Sequence, residues 1–264
     1  MNYFLLSGFS FIVGTVVGLT GIGGASLITP MLIFMFNVPA AIAVGSDIVA
    51  ATMMKAIASI SHWRQETVDF QVVKWLAFGS VPGALLGVVI LHILQSQGWS
   101  LDSFLLPSIG TVILLVTIAG LVQLSLATFA PNISPLSFTT FDLETTNGKT
   151  KAILTGFILG CMVGLTSVSS GSLFALVLMT FFRLDARKLV GTDITQAAIL
   201  LGFTSLGHLS LGTVDWHIVI PIWIGSVPGV ILGSKICKLA PQRALRYLIF
   251  VILLTVSWKL IHSA

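Results

Sequence analysis

The sequence predicts an all-α integral membrane protein made of two inverted-topology repeats, each a broken, re-entrant-like helical hairpin followed by three transmembrane helices. Three observations predict it: the composition, the position of breaks in two overlong apolar runs, and an internal match between the halves. Of 264 residues, 56% are hydrophobic and only 8% charged, whereas a soluble domain carries roughly 25% charged residues. That deficit excludes the soluble class. The net charge of +4 is spread thinly over short loops, so the bases read as topology signals and no nucleic-acid partner is expected.

In chain order the apolar runs cover 3–36, 40–62, 71–94, 103–122, 151–182, 187–208, 216–236 and 243–261. Most match a span of about 20 residues. The first and fifth are too long for one crossing and too short for two. Each is broken near its middle by small residues, Gly18 to Gly24 in the first and Gly164 to Gly171 in the fifth. The one long polar stretch, 123–150, divides a first repeat at 1–122 from a second at 151–264. Met1-Asn2-Tyr3 lacks the basic region of a cleavable signal, so insertion is expected to use the apolar segments themselves. Cys161 and Cys237 have neither disulfide-framework nor metal-ligand spacing. No metal or cofactor is expected.

Shifted by 146 residues, the chain matches itself without gaps. Gly14, Gly18, Leu19 and Thr20 fall on Gly160, Gly164, Leu165 and Thr166, and Gly45 and Asp47 on Gly191 and Asp193. His62 falls on His208, Thr67-Val68-Asp69 on Thr213-Val214-Asp215, and Gly79 to Gly83 on Gly225 to Gly229. Shared hydrophobicity does not place Gly, Pro, His and Asp in register. A duplication does.

Orientation follows from charge. If each broken run is a hairpin returning to its starting side, Arg64, Lys74, Lys149, Lys151, Arg183, Arg187, Lys188, Lys235, Lys238, Arg243 and Arg246 share one side. Single crossings would split them almost evenly. The positive-inside rule selects the hairpins and puts both termini on the non-cytoplasmic side of the cell's inner or plasma membrane. A hairpin plus three spans makes an odd number of crossings, so the second half is expected upside down. Inverted repeats recur in secondary transporters, whose sites lie near the midplane at broken helices.

The breaks are the candidate substrate site. Irregular backbone at membrane depth is tolerated only when buried in protein or lining a wet cavity. Gly21, Gly23 and Gly24 permit the bend, restarting helices point unpaired N–H groups inward, and Thr20, Ser26, Thr166, Ser167, Ser169, Ser170 and Ser172 add hydroxyls. Such donors suit a small anion; close helix packing through small residues is the competing reading. Asp47 and Asp193 are intramembrane acids able to bind H⁺ or Na⁺ as a coupling ion. Alternatively they sit in first helical turns, with Ser46 and Thr192 as N-caps. Lys55, with Leu201 as its counterpart, either adds a positive charge to the pathway or snorkels. His62 and His208 are gates or turn-bonded structural residues, and Pro82 and Pro228 imply bends.

These residues resemble the TauE/SafE family of sulfite exporters and organosulfonate permeases. The likeness rests on the Gly-rich break followed by Pro30, the Gly45-Ser46 and Gly191-Thr192 pairs, the His62 to Asp69 run and Pro82-Gly83 with their repeats. It implies transport of sulfite, sulfonates or related sulfur oxyanions. The second break departs from the glycine-rich pattern, with Ser169 and Ser170 where Gly23 and Gly24 stand. Transport of another small anion, or a serine hydrolase pairing a serine of 169–172 with His208, are the alternatives. The partners expected are the lipid bilayer, a small anion and a coupling cation; oligomeric state, transport direction and the role of the linker are left open by the sequence.

Overall fold

In the computed structural model, residues 2–20, 24–129, 140–168, 172–182, 184–236 and 242–263 are described, and every regular element among them is helical. The first apolar run forms α1 (Tyr3–Thr20) and α2 (Ala25–Phe36), separated at the glycine-rich break. Phe9, near the start of α1, packs edge-on against Phe36 at the end of α2 with ring centroids 6.1 Å apart. The run therefore doubles back. The corresponding run of the second half forms α6 (Thr146–Thr166) and α7 (Ser172–Val177), which continues as a π-helical turn, Leu178–Phe182. Phe141, just before α6, donates its N–H to the Phe181 carbonyl at 2.9 Å and stacks on its ring. The second run doubles back as well.

The remaining helices are α3 (Ala40–Arg64), α4 (Phe70–Ser96), α5 (Leu101–Phe129), α8 (Ala186–Ser210), α9 (Trp216–Ile236) and α10 (Gln242–Ile261). α5 and α6 therefore enter the polar stretch from either side. Among the described residues, six of the ten helices are long and apolar enough to cross a membrane: α3, α4, α5, α6, α8 and α9. Their starts are set by local chemistry. Asp69 and Asp185 each accept two backbone N–H groups from the first turns of α4 and α8, satisfying donors that a helix N-terminus leaves open. α3 begins behind Pro39, which has no capping side chain, and the Ala40 N–H is taken instead by Asp102 Oδ1 of α5 at 2.8 Å.

These starts correct one expectation. Ser46 and Thr192 are not N-caps, because α3 and α8 begin at Ala40 and Ala186, and both hydroxyls lie inside their helices and fully buried. Each reaches across to the other half instead. Thr192 Oγ1 accepts the Asp69 N–H at 2.9 Å and Ser46 Oγ accepts the Asp215 N–H at 3.0 Å.

Those two bonds belong to a reciprocal pattern. A Cβ on Gly79 or Gly83 of α4 would overlap the Ile153 or Phe157 carbonyl of α6, and one on Gly225 or Gly229 of α9 would overlap the Ser7 or Phe11 carbonyl of α1. α4 and α6 thus run parallel at backbone contact, as do α1 and α9. Gly45, near the start of α3, meets the Thr213 carbonyl just beyond the end of α8, and Gly191 meets Thr67 just beyond α3. The equivalent helices α3 and α8 therefore lie antiparallel. Small residues at such crossings let backbones approach in apolar surroundings, where van der Waals packing holds helices together.

One end of the bundle gathers Tyr3 with His217, Ala40 with Asp102, and Lys259 over the Phe34 ring. The other gathers Phe141 with Phe181 and places Lys74 and Lys149 against Trp75. Ile48, Leu91, Leu105, Ile113, Phe174 and Leu201 anchor a core drawn from both halves. Large apolar side chains such as Ile57, Ile224 and Leu248 point outward, with Trp63, Trp99 and Trp258 exposed near helix ends, the distribution a bilayer selects.

Candidate functional site

α6 stops at Thr166 because Ser167 turns into the left-handed region, φ 62° and ψ −22°, while its N–H still donates to the Val163 carbonyl at 2.8 Å. A side-chain-bearing residue is uncommon there. The turn swings the Ser167 hydroxyl toward α3, where it donates to Asp47 Oδ2 at 2.8 Å. Thr29 Oγ1, from the second turn of α2, donates to the same oxygen at 2.8 Å. Asp47 is 1% exposed, and its Oδ1 has no hydrogen-bond partner among the described residues. One carboxylate therefore ties the C-terminal end of α6, where the second break begins, to the helix that restarts after the first.

His208 fixes that same end. Its Nε2 lies 3.0 Å from the Gly164 carbonyl and its Nδ1 2.9 Å from Thr213 Oγ1. A carbonyl only accepts, so Nε2 carries the proton. The bond satisfies a carbonyl that the ending of α6 would leave open. His62 repeats the turn bond, with Nδ1 2.9 Å from Thr67 Oγ1, in a half-buried setting.

Asp193 has a different environment. Lys55 of α3 and Asp193 of α8 stand close enough for their opposite charges to act on each other. Near them Gln196 donates through Nε2 to Ser80 Oγ at 2.7 Å, and Gln196 Oε1 and Asp193 Oδ1 are buried without hydrogen-bond partners among the described residues. Ser59 of α3 bonds Thr195 of α8 at 3.0 Å. With the helices antiparallel and rising about 1.5 Å per residue, Asp47 and Asp193 sit roughly 20 Å apart along the pair.

The other sequence-derived candidates fall out as follows. Gly24 is the residue before α2, has no side-chain cap and accepts from Leu27 and Ile28 N–H through its carbonyl. Ser26 is buried in the first turn of α2. Thr166 returns its hydroxyl to the Met162 carbonyl of its own helix at 2.7 Å. Thr20 ends α1; its side chain, that of Ser172, and Gly21, Gly23, Ser169 and Ser170 lie outside the described residues. Pro82 and Pro228 are inside α4 and α9. Among the described residues no group of His, Cys, Asp and Glu is placed to hold a metal.

A family model described as sulfite exporter TauE/SafE matches residues 6–260. The chain belongs to the TauE/SafE family. Among its relatives is the probable membrane transporter protein YjnA of Bacillus subtilis, 38% identical over 94% of this chain and 96% of the relative. The probable membrane transporter protein YdhB of the same organism is 23% identical over 91% of this chain and 92% of the relative. No solved structure matches. Family, relatives and apolar helices together make this TauE/SafE chain a multi-pass membrane protein of a transporter family.

Sequence reasoning missed Thr29. In the first half of the TauE/SafE chain it stands inside a continuous apolar run, and its counterpart is Ala175, so the repeat offers no echo. The usable signal was a lone hydroxyl one turn past a break that already carried a site.

Proposed function

We propose that this chain is a secondary carrier moving a small sulfur oxyanion or organosulfonate, such as sulfite, across the inner or plasma membrane. The observation that carries the reading is the convergence of both broken hairpins on Asp47, through Thr29 and Ser167. Broken helices whose ends meet a polar residue inside an apolar bundle are how carriers build a substrate site. The antiparallel packing of equivalent helices α3 and α8 supports inverted repeats at 1–122 and 151–264, joined through 123–150. The basic residues at the Trp75 end favour that end as cytoplasmic, with both termini outside. Within this reading the N-terminal turn of α2, from Gly24 to Ser26, with Gly21, Gly23 and Thr20 before it, offers donors to the anion. Thr166, Ser169, Ser170 and Ser172 are the corresponding candidates of the second break.

The family description favours sulfite; the site's chemistry alone admits other small anions. The engagement of both His208 ring nitrogens weighs against a hydrolase, since neither is left to take a serine proton. Moving one charge across 100 mV is worth about 2.3 kcal/mol. Anion export is therefore downhill when the inside is negative, and concentrative uptake needs a cotransported cation, H⁺ or Na⁺, held at Asp47 or Asp193. A thermal-shift panel of sulfite, sulfate, thiosulfate, methanesulfonate and acetate on the purified protein tests the substrate class. Stabilisation by sulfite or the sulfonate above acetate supports it; acetate alone stabilising sinks it.

A further inference from the structure

We propose that Asp47 is the proton-carrying group of this carrier, accepting one proton on Oδ1 as the anion binds, and that its repeat counterpart Asp193 has no such role. The inference rests on the carrier reading above and names its coupling ion.

Two hydroxyls, from Thr29 and Ser167, already occupy Asp47 Oδ2, and both act as donors. That arrangement serves either protonation state, because Oδ2 accepts the same two bonds as a carboxylate oxygen or as the carbonyl oxygen of the acid. Oδ1 is left buried and unbonded among the described residues. A buried charged oxygen without a partner is costly, and a single proton removes that cost without moving any side chain. An alkali cation fits less well, because hard cations are held by several oxygen ligands together and both hydroxyls stand on Oδ2 rather than around Oδ1.

Among the described residues, the charged and titratable groups around the site do not supply a counter-charge. α2 carries none, and α8 brings His208, whose two nitrogens are engaged. α5 brings Asp102, spent on the Ala40 N–H. The segment before α9 brings Asp215, paired with His217. The lysines of α6, Lys149 and Lys151, are at its opposite end, and on α3 itself Lys55 is attracted by the charge of Asp193 while His62 bonds Thr67. Asp193 shares the buried, unbonded Oδ1 among the described residues but differs in what surrounds it. Where Asp47 has Thr29 and Ser167, the corresponding residues are Ala175 and Gly21; where Asp193 has Lys55, the corresponding residue of the second half is Leu201. Of the two corresponding acids, one has a lysine within reach of its charge and the other two neutral donors.

Proton and substrate are linked by charge. Ionised Asp47 beside the second break repels an anion approaching the Ser167 turn; protonated Asp47 does not. By reciprocity the anion favours the protonated acid. One H⁺ from the entry side adds to Oδ1, crosses with the anion as a neutral acid, and leaves on the far side, restoring the carboxylate.

The test uses the full-length protein in lipid, by infrared difference spectroscopy between acid and alkaline states, beside sulfite flux in proteoliposomes under an imposed pH gradient. The expected result is a protonated-carboxyl band in the wild type and in Asp193→Asn that is lost in Asp47→Asn. Thr29→Val should keep the band but move it to higher wavenumber, since one hydrogen bond onto the carbonyl oxygen is removed. In Asp47→Asn any remaining sulfite flux should be slower than in the wild type and no longer accelerated by the pH gradient. Survival of the band in Asp47→Asn, its loss in Asp193→Asn, or a flux driven by Na⁺ and indifferent to pH would each overturn the assignment. Absence of sulfite flux in the wild type would instead remove the carrier reading, while the substrate-free band still decides where the proton sits.

Discussion

Ser167 and Asp47, 120 positions apart in sequence, share a hydrogen bond of 2.8 Å that joins the second break to the first half. Its donor sits in a left-handed turn that a serine adopts only at a cost. The hydroxyl and the backbone therefore make separable contributions. Bonds to charged groups are worth about 1.5–3 kcal/mol, and a left-handed residue bearing a Cβ costs about 1–2 kcal/mol. Ser167→Ala loses the bond and keeps the strain, whereas Ser167→Gly loses the bond and relieves it. Thermal unfolding in detergent should rank wild type above Gly and Gly above Ala. Equal midpoints for all three would mean the bond contributes nothing.

The parallel crossings of α4 with α6 and of α1 with α9 have no space for a side chain. Gly83→Ala and Gly229→Ala should each cost at least the 1–3 kcal/mol typical of overpacking, because the obstacle is a backbone carbonyl rather than a side chain that can swing away. Gly202→Ala, with nothing within 4 Å of the added methyl, serves as the control and should unfold like the wild type. Yield and unfolding midpoint of the three variants decide the point.

Lys55 and Asp193 make a prediction about coupling between sites. Lys55→Met and Asp193→Asn each strip a charge of its neighbour, at a cost that approaches about 3–5 kcal/mol only for fully buried pairs and is smaller here, where Lys55 keeps some surface. The double variant should be more stable than either single one. Simple additivity in a double-mutant cycle would mean the two charges do not act on each other.

Topology is open to direct labelling. With Cys161 and Cys237 replaced by serine, a cysteine at Gln97 should react with a membrane-impermeant thiol reagent added to intact cells. A cysteine at Glu66 should react only after permeabilisation. Both positions are exposed at helix ends. The opposite pattern would invert the bundle, and labelling of both from outside would break the hairpin topology.

Much of this architecture was legible because the constraints were local or duplicated. The breaks expected within Gly18 to Gly24 and Gly164 to Gly171 follow from small residues in overlong runs, and α1 ends at Thr20 and α6 at Thr166, inside those bounds. The register of 146 brings Gly83 onto Gly229 and Gly45 onto Gly191, and those glycines are the backbone crossings. The histidines, too, bond the turns in which they stand. What was hidden depended on helix starts and on contacts between halves. A Gly-Ser-Asp or Gly-Thr-Asp string resembles a cap when read locally. Pro39 and Asp185 start the helices earlier, however, and turn Ser46 and Thr192 into ties to the opposite half. The joining of Thr29 and Ser167 at Asp47 has no symmetric copy, so the duplication that revealed the fold could not reveal it.

The most direct measurement is flux of radiolabelled sulfite into proteoliposomes holding the wild type, Ser167→Gly or Asp47→Asn, with an inward pH gradient. The account predicts concentrative, saturable uptake by the wild type, slower uptake by Ser167→Gly, and only equilibrating exchange by Asp47→Asn. Uptake by Asp47→Asn and Ser167→Gly as concentrative and as fast as the wild type would contradict it, because the two breaks would then meet at a carboxylate that transport does not use.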